Sequence, residues 1–224
     1  MKNWLKAILY KKFNVSFSKS GDDIQLYKLI NNDDPGVYVD VGCWHPVKAS
    51  NSYFFYHRGW KGICIDPNPE LINLYKKMRP NDVFINAGIS DSKTPMEYYM
   101  LKESSMNTFN YDFLVKHQLD TQILNTFKVP MYSLKSVLDK ELKATDRLDF
   151  FDIDVEGFDL EVLKTNDWQM YRPKVIVVES DMALHDDLTS DIVKYLDGVE
   201  YKLIGKSIIK GDLGNLFLID KTKL

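Results

Sequence analysis

Acidic residues in this sequence gather where apolar runs stop. Val37-Tyr38-Val39 leads into Asp40-Val41-Gly42, Gly62-Ile63-Cys64-Ile65 into Asp66-Pro67-Asn68, Val83-Phe84-Ile85 into Asn86-Ala87-Gly88, and Val175-Ile176-Val177-Val178 into Glu179. A further run, fourth in chain order, carries Asp152, Asp154 and Glu156 in alternate positions, followed by Gly157. A carboxylate at such a place can accept hydrogen bonds from both hydroxyls of a ribose, as expected of Asp66, or hold an ammonium directly or through water, as expected of Asp40. Asp154 and Glu156 point the same way if their strand continues, so they can share a metal ion or supply a general base of raised pKa. His45 and His185 are the imidazole bases nearest such ends, with a pKa suited to proton transfer. Structural roles compete with each of these. Asp40 would orient the first loop, Asp66 would form a turn before Pro67, and Glu156 would favour a helix start.

The runs themselves read as strands covered on both faces, since their apolar residues are nearly continuous. Helices are expected between them, at 51–58, 70–78, 133–142 with Ser133 as N-cap, 157–165 and 188–196. Residues 103–126 show weak periodicity and read as a mobile segment with helical pieces, preceded by a strand at 96–101. Two closing strands, 201–206 and 215–220, are separated by too few residues for a crossover helix and should pair antiparallel. The pattern is that of an α/β protein with a mostly parallel seven-stranded sheet, a C-terminal antiparallel hairpin and helices on both faces. Ligands of such sheets lie over the carboxyl ends of the strands, which is where the acids fall.

The chain has 224 residues, 45% of them hydrophobic, enough for one core, and residues 36–224 are expected to form that domain after a helical lead-in at 1–35. A net charge of -3 without a basic run argues against nucleic acid as a partner. Cys43 and Cys64 lack zinc-ligand spacing and read as free thiols of a reducing, cytoplasmic compartment. Trp4 to Tyr10 is too short to span a bilayer; it reads as an amphipathic helix capable of weak contact with a membrane surface.

Gly42 permits a sharp turn and close ligand approach. The second and third glycines of a dinucleotide fingerprint are missing, because Trp44 and Val47 occupy their places. A pyrophosphate would be obstructed there. S-adenosylmethionine has none, carries an ammonium for Asp40 and a ribose for Asp66, and is the expected ligand. A nicotinamide-dependent sugar oxidoreductase or epimerase is the alternative, disfavoured by the missing glycines and by the lack of a Tyr-x-x-x-Lys pair in a suitable helix. A non-catalytic nucleotide-binding module of the same fold would leave the acids of the fourth and fifth strands without purpose.

Several stretches together resemble the FkbM family of S-adenosylmethionine-dependent methyltransferases: Ser18 to Asp23, Tyr38 to Pro46, Arg58 to Pro69, Asp152 to Leu163 and Arg172 to Glu179. The resemblance implies a Rossmann-like class I methyltransferase fold. It implies O-methylation, commonly of sugar hydroxyls in polysaccharides, glycolipids or natural products. It also implies a cofactor site containing Asp40, Gly42 and Asp66, with Pro67, Asn68, Ala87, Gly21 and Asp23 around it. Asp154, Glu156 and Glu179, with His45 and His185, fall on the reaction side, and a divalent ion, were one bound, would take those three carboxylates. The chain differs from the family pattern in having Lys19 and Asp22 in place of Gln and Glu, and Cys43-Trp44 after the first glycine.

Overall fold

The computed structural model describes Tyr10 and residues 12–223, so the amphipathic segment expected around Trp4 to Tyr10 lies almost wholly outside the described residues. Among the described residues eleven strands run in chain order: β1 Val37–Val41, β2 Lys61–Ile65, β3 Val83–Ile85, β4 Gly88–Ile89, β5 Met96–Leu101, β6 Ile123–Val129, β7 Met131–Tyr132, β8 Leu148–Ile153, β9 Val175–Ser180, β10 Tyr201–Lys210 and β11 Leu213–Asp220. Seven of them form one sheet in the order β10-β11-β9-β8-β1-β2-β3. β1, β2, β3, β8 and β9 are parallel, whereas β11 runs antiparallel to both β9 and β10. No helix among the described residues is long and apolar enough to cross a membrane.

Alternation along the buried strands divides the core in two. Val39, Ile63, Phe151, Ile176 and Leu216 face the helices Leu134–Glu141, Asp159–Lys164 and Asp191–Gly198. Tyr38, Cys64, Phe150, Val177 and Phe217 face the helices Asp22–Ile30, Tyr53–Tyr56 and Leu71–Met78. Side chains of period two thus bury both faces of one sheet.

Three local expectations are revised. The segment 103–126 keeps helical pieces, at Ser104–Met106, Tyr111–Lys116 and Asp120–Gln122, but its end enters β6, which pairs antiparallel with β5. Ile123, Phe127 and Val129 are the more buried residues of β6, a period-two signal weakened by the exposed Leu124. The helix expected at 188–196 starts at Asp191, because Ser190 Oγ accepts the Val193 amide hydrogen at 3.2 Å and caps it there. The helix expected at 51–58 is a single turn, Tyr53–Tyr56.

One buried ionic network ties the first half of the sheet together. Arg79, at the end of its helix, donates to Asp82 at 2.6 Å, to the Tyr38 hydroxyl at 2.6 Å and to Ser52 Oγ at 2.9 Å. Asp82 also accepts the Gly62 amide hydrogen at 2.7 Å, and Ser52 Oγ donates to Asp40. Both Arg79 and Asp82 side chains are fully buried. Removing the guanidinium would strand a buried carboxylate, a loss of about 3–5 kcal/mol. Arg79→Met should therefore lower chemical-denaturation stability by that amount; a loss below about 1 kcal/mol, the scale of an exposed pair, would contradict the network's role.

Candidate active site

The strand ends meet because two loops approach at van der Waals contact or closer. Gly42 follows β1 with φ of 82°, and the Asp154 amide donates to the Val41 carbonyl at 3.0 Å. A β-carbon on residue 42 would lie 1.7 Å from the Asp154 carbonyl oxygen. Only glycine fits, on grounds of both backbone angle and space. On the other side of Gly42, the Trp44 amide donates to Asp66 Oδ2 at 3.0 Å, and the Asn68 amide to Asp66 Oδ1 at 2.8 Å. The β1, β2 and β8 ends are thereby fixed to one another.

Two partly open pockets adjoin there. The first, about 360 Å³ counting its open mouth, is walled by Asp66, Pro67, Tyr98, Asn107 and Phe109. The second, about 460 Å³ on the same count, is polar, with Lys19, Asp40, Asn51 and Asp152 in its wall. Gly42, Trp44, Ser105 and Asp154 line both. Trp44 Nε1 donates to Ser104 Oγ at 3.0 Å, closing the segment 104–106 over this junction. A wider cleft of about 1460 Å³, counting its open mouth, begins at Glu156 and Lys19 and runs past Glu179, Asp159, Phe113 and Asp181. Its wall is held by Thr108 Oγ1 donating to the Glu156 carbonyl and Asn110 Nδ2 to the Gly157 carbonyl, both at 2.8 Å. Glu156 itself takes φ of 52°, an uncommon angle for a residue with a side chain.

Asp154, Glu156 and Glu179 each bring a carboxylate oxygen within 4.8 Å of the other two. Two unit charges at that spacing repel by roughly 3–4 kcal/mol at an effective dielectric near 20. Burial first, then the neighbouring carboxylates, push Glu156 and Glu179 far above the ordinary range, so these two hold protons near neutrality. Asp154 is raised by burial but is opposed by Lys19 and by a hydrogen bond with Glu179, and it is the member best able to stay ionised. Burial likewise raises Asp66 to about 7, Asp40 to about 6 and Asp159 to about 7. The β1–β8 register sets Asp40 beside Asp152, whose carboxyl is pushed well up by burial and by Asp40.

Of the residues singled out from the sequence, Asp40, Gly42, Asp66, Pro67, Asp154, Glu156 and Glu179 line these contiguous spaces. The others do not. Asn68 and Ala87 are buried behind the wall, and Asn68 Oδ1 accepts the Glu70 amide hydrogen at 3.0 Å. Asp23 accepts from Ser16, Phe17, Ser18 and Ile24, and Gly21, with φ of 85°, lets that loop turn; both shape the loop instead of lining a cavity. His45 is taken up by its own turn, its Nδ1 accepting the Val47 and Lys48 amide hydrogens at 3.0 Å, and burial lowers its pKa. His185 is 82% exposed beside Asp186, in the short helix Leu184–Asp187, and does not line the cleft. Sequence reasoning did not assign Tyr98, Phe109, Phe113 or Lys19 to the site. They arrive from segments whose pattern is dominated by local packing.

These acids make a prediction about stability. A carboxyl group whose folded pKa exceeds its unfolded value of about 4 holds its proton more tightly when folded. The associated stability is fully present below about pH 4 and is lost as pH rises through the folded values near 6 to 7 of Asp40, Asp66 and Asp159. The melting temperature of the ligand-free protein should fall from about pH 5 to pH 8, and Asp159→Asn should flatten that slope. A melting temperature that climbs across the window would contradict the buried-acid account.

The Methyltransferase FkbM domain family matches residues 36–203. No curated protein sequence matches the chain. Among solved structures, the METTL16 methyltransferase domain is 13% identical, with a TM-score of 0.51 over 88% of this chain and 65% of that one. The precorrin-6y C5,15-methyltransferase of Geobacter metallireducens is 13% identical, at 0.46 over 88% and 86%. The 1,6-didemethyltoxoflavin-N1-methyltransferase of Burkholderia thailandensis, crystallised with S-adenosylhomocysteine, is 11% identical, at 0.45 over 97% and 88%. At these identities the METTL16 likeness concerns the fold.

Proposed function

The chain belongs to the FkbM family of S-adenosylmethionine-dependent methyltransferases, and we propose that it methylates a hydroxyl oxygen, that of a sugar in a glycan, glycolipid or natural product. The observation that carries this reading is the junction at Asp154. Two pockets share Asp154 in their walls, and the wider cleft starts beside it at Glu156. The first cavity suits the nucleoside: Asp66 at the ribose, with Tyr98 and Phe109 supplying apolar surface. Asn107 Nδ2 is buried at this wall with no acceptor at hydrogen-bond distance, a donor left over for a ligand atom. The second cavity suits a zwitterion, with Asp40 and Asp152 for an ammonium and Lys19 for a carboxylate. Once bound, S-adenosylmethionine supplies a methyl group made electrophilic by its sulfonium.

The protein's own work is to aim the acceptor oxygen at that methyl and remove its proton. In the proposed mechanism Asp154 is the base, its pKa raised by burial, a rise that Lys19 and Glu179 oppose. Phe113 offers a ring face, and Asn110, Asp112 and Asp181 offer the hydrogen-bonding groups that a polyol needs. A glycan of a biosynthetic pathway in the cytoplasm fits the two buried free thiols. A second reading rests on the spacing of the carboxylates. Oxygens of Asp154, Glu156 and Glu179 lie close enough to share a divalent ion, which would acidify the hydroxyl instead.

Titration calorimetry of S-adenosylmethionine and S-adenosylhomocysteine tests the assignment. Asp66→Ala should weaken both by about 100-fold or more, two hydrogen bonds to a charged group contributing about 1.5–3 kcal/mol each. Asp154→Asn should bind normally and transfer methyl to a glycan acceptor about 100-fold or more slowly. Unaltered affinity in the Asp66 variant would sink the proposal.

A further inference from the structure

Trp44 is one of the residues by which this chain departs from the family pattern. It belongs to the walls of both pockets, with Gly42, Ser105 and Asp154, and it is the aromatic member of that shared set. Its backbone takes φ of 37°, uncommon for a residue with a side chain. Bonds at both ends of the residue hold it there. The Trp44 amide donates to Asp66 Oδ2 at 3.0 Å, and the indole Nε1 donates to Ser104 Oγ at 3.0 Å. The His45 ring packs beside the indole, 5.7 Å between centroids and tilted by 58°. The Ser104 bond uses the N–H edge of the ring and not its π face.

S-adenosylmethionine carries its sulfonium between the nucleoside and the amino-acid tail. With the nucleoside in the pocket of Asp66, Tyr98 and Phe109, and the tail in that of Asp40, Asp152 and Lys19, the sulfonium falls at the wall the two pockets share. Gly42 offers no side chain there, the Ser105 hydroxyl donates to Glu103 at 3.2 Å, and Asp154 serves the acceptor in the proposed mechanism. A sulfonium has no N–H or O–H to donate, so hydrogen-bond acceptors meet it only as charge. An aromatic face suits such a cation, as it suits a quaternary ammonium.

We propose that the Trp44 indole is the surface that senses the sulfonium, a cation–π contact that favours S-adenosylmethionine over its product S-adenosylhomocysteine. The proposal rests on the methyltransferase reading and on the placement of the cofactor across the two pockets. Transfer breaks the bond from sulfur to methyl and leaves both electrons on sulfur, so the product is neutral at that atom. The contact therefore holds the charged cofactor and lapses once the methyl group has gone, which eases release of the product.

The test is titration calorimetry of S-adenosylmethionine and S-adenosylhomocysteine on the full-length wild type, Trp44→Leu and Trp44→Phe, read as the ratio of the two dissociation constants. A merely structural loss weakens both ligands alike and leaves the ratio as it was. The carboxyls Asp40, Asp66, Asp152 and Asp154 are present in every variant, so their own attraction for the sulfonium cancels in the comparison. Trp44→Leu should shift the ratio against S-adenosylmethionine by about five- to thirtyfold. Trp44→Phe, which keeps a ring and loses the Ser104 bond, should shift it by less. An unchanged ratio in Trp44→Leu overturns the proposal, as does a shift in Trp44→Phe as large as that in Trp44→Leu. Where melting curves show that Trp44→Leu does not fold, Trp44→Phe decides: phenyl binds cations less well than indole, so a ratio equal to the wild type overturns the proposal. Wild-type protein that binds neither ligand overturns the methyltransferase reading instead, whatever the variants do.

Discussion

The Asp154 carbonyl oxygen occupies the space that a β-carbon on residue 42 would need. Everything at the site depends on that contact. It lets the loop after β1, which carries the cavity wall, touch the loop after β8, which carries the carboxylates. The Asp154 amide to Val41 carbonyl bond repeats the tie in the backbone. Separation of the two loops by one methyl group would open the junction at which both cavities and the cleft converge.

Around this contact the protein maintains an electrostatic strain. Carboxyl groups are buried side by side at the ends of four parallel strands, and burial raises them all. Two devices limit the cost. The Arg79 network reaches Asp40 through Ser52, and Lys19 stands in the pocket wall that holds Asp40, Asp152 and Asp154. What remains is a surface short of positive charge, suited to a cofactor bearing a sulfonium and an ammonium. The same burial that destabilises the empty protein favours occupation by a cation.

How much was legible in the sequence followed from how each residue reaches the site. Asp40, Asp66, Asp154, Glu156 and Glu179 could be placed because each ends a strand, or lies just beyond one, and parallel strands deliver their ends to one edge. His45 and His185 were misplaced by the same logic: closeness to a strand end says nothing of where a loop side chain turns, and His45 turned back onto its own amides. Gly21 and Asp23 carried a pattern whose meaning was local closure. Lys19 had only one signal, its position inside a tight run of Ser, Gly and Asp residues. β6 was obscured because its alternation is broken by Leu124, which is 71% exposed.

The place of β11 bears on how the chain comes to be folded at all. This strand follows every other in sequence order, yet it sits inside the sheet, paired with β9 on one side and β10 on the other. The family match stops at residue 203, before β11 begins. On a translating ribosome β9 and β10 would therefore wait with open edges until residue 220 has cleared the exit tunnel. The nascent protein would be at its most aggregation-prone during that interval, and a fragment cut at the family boundary would keep that exposed edge for good.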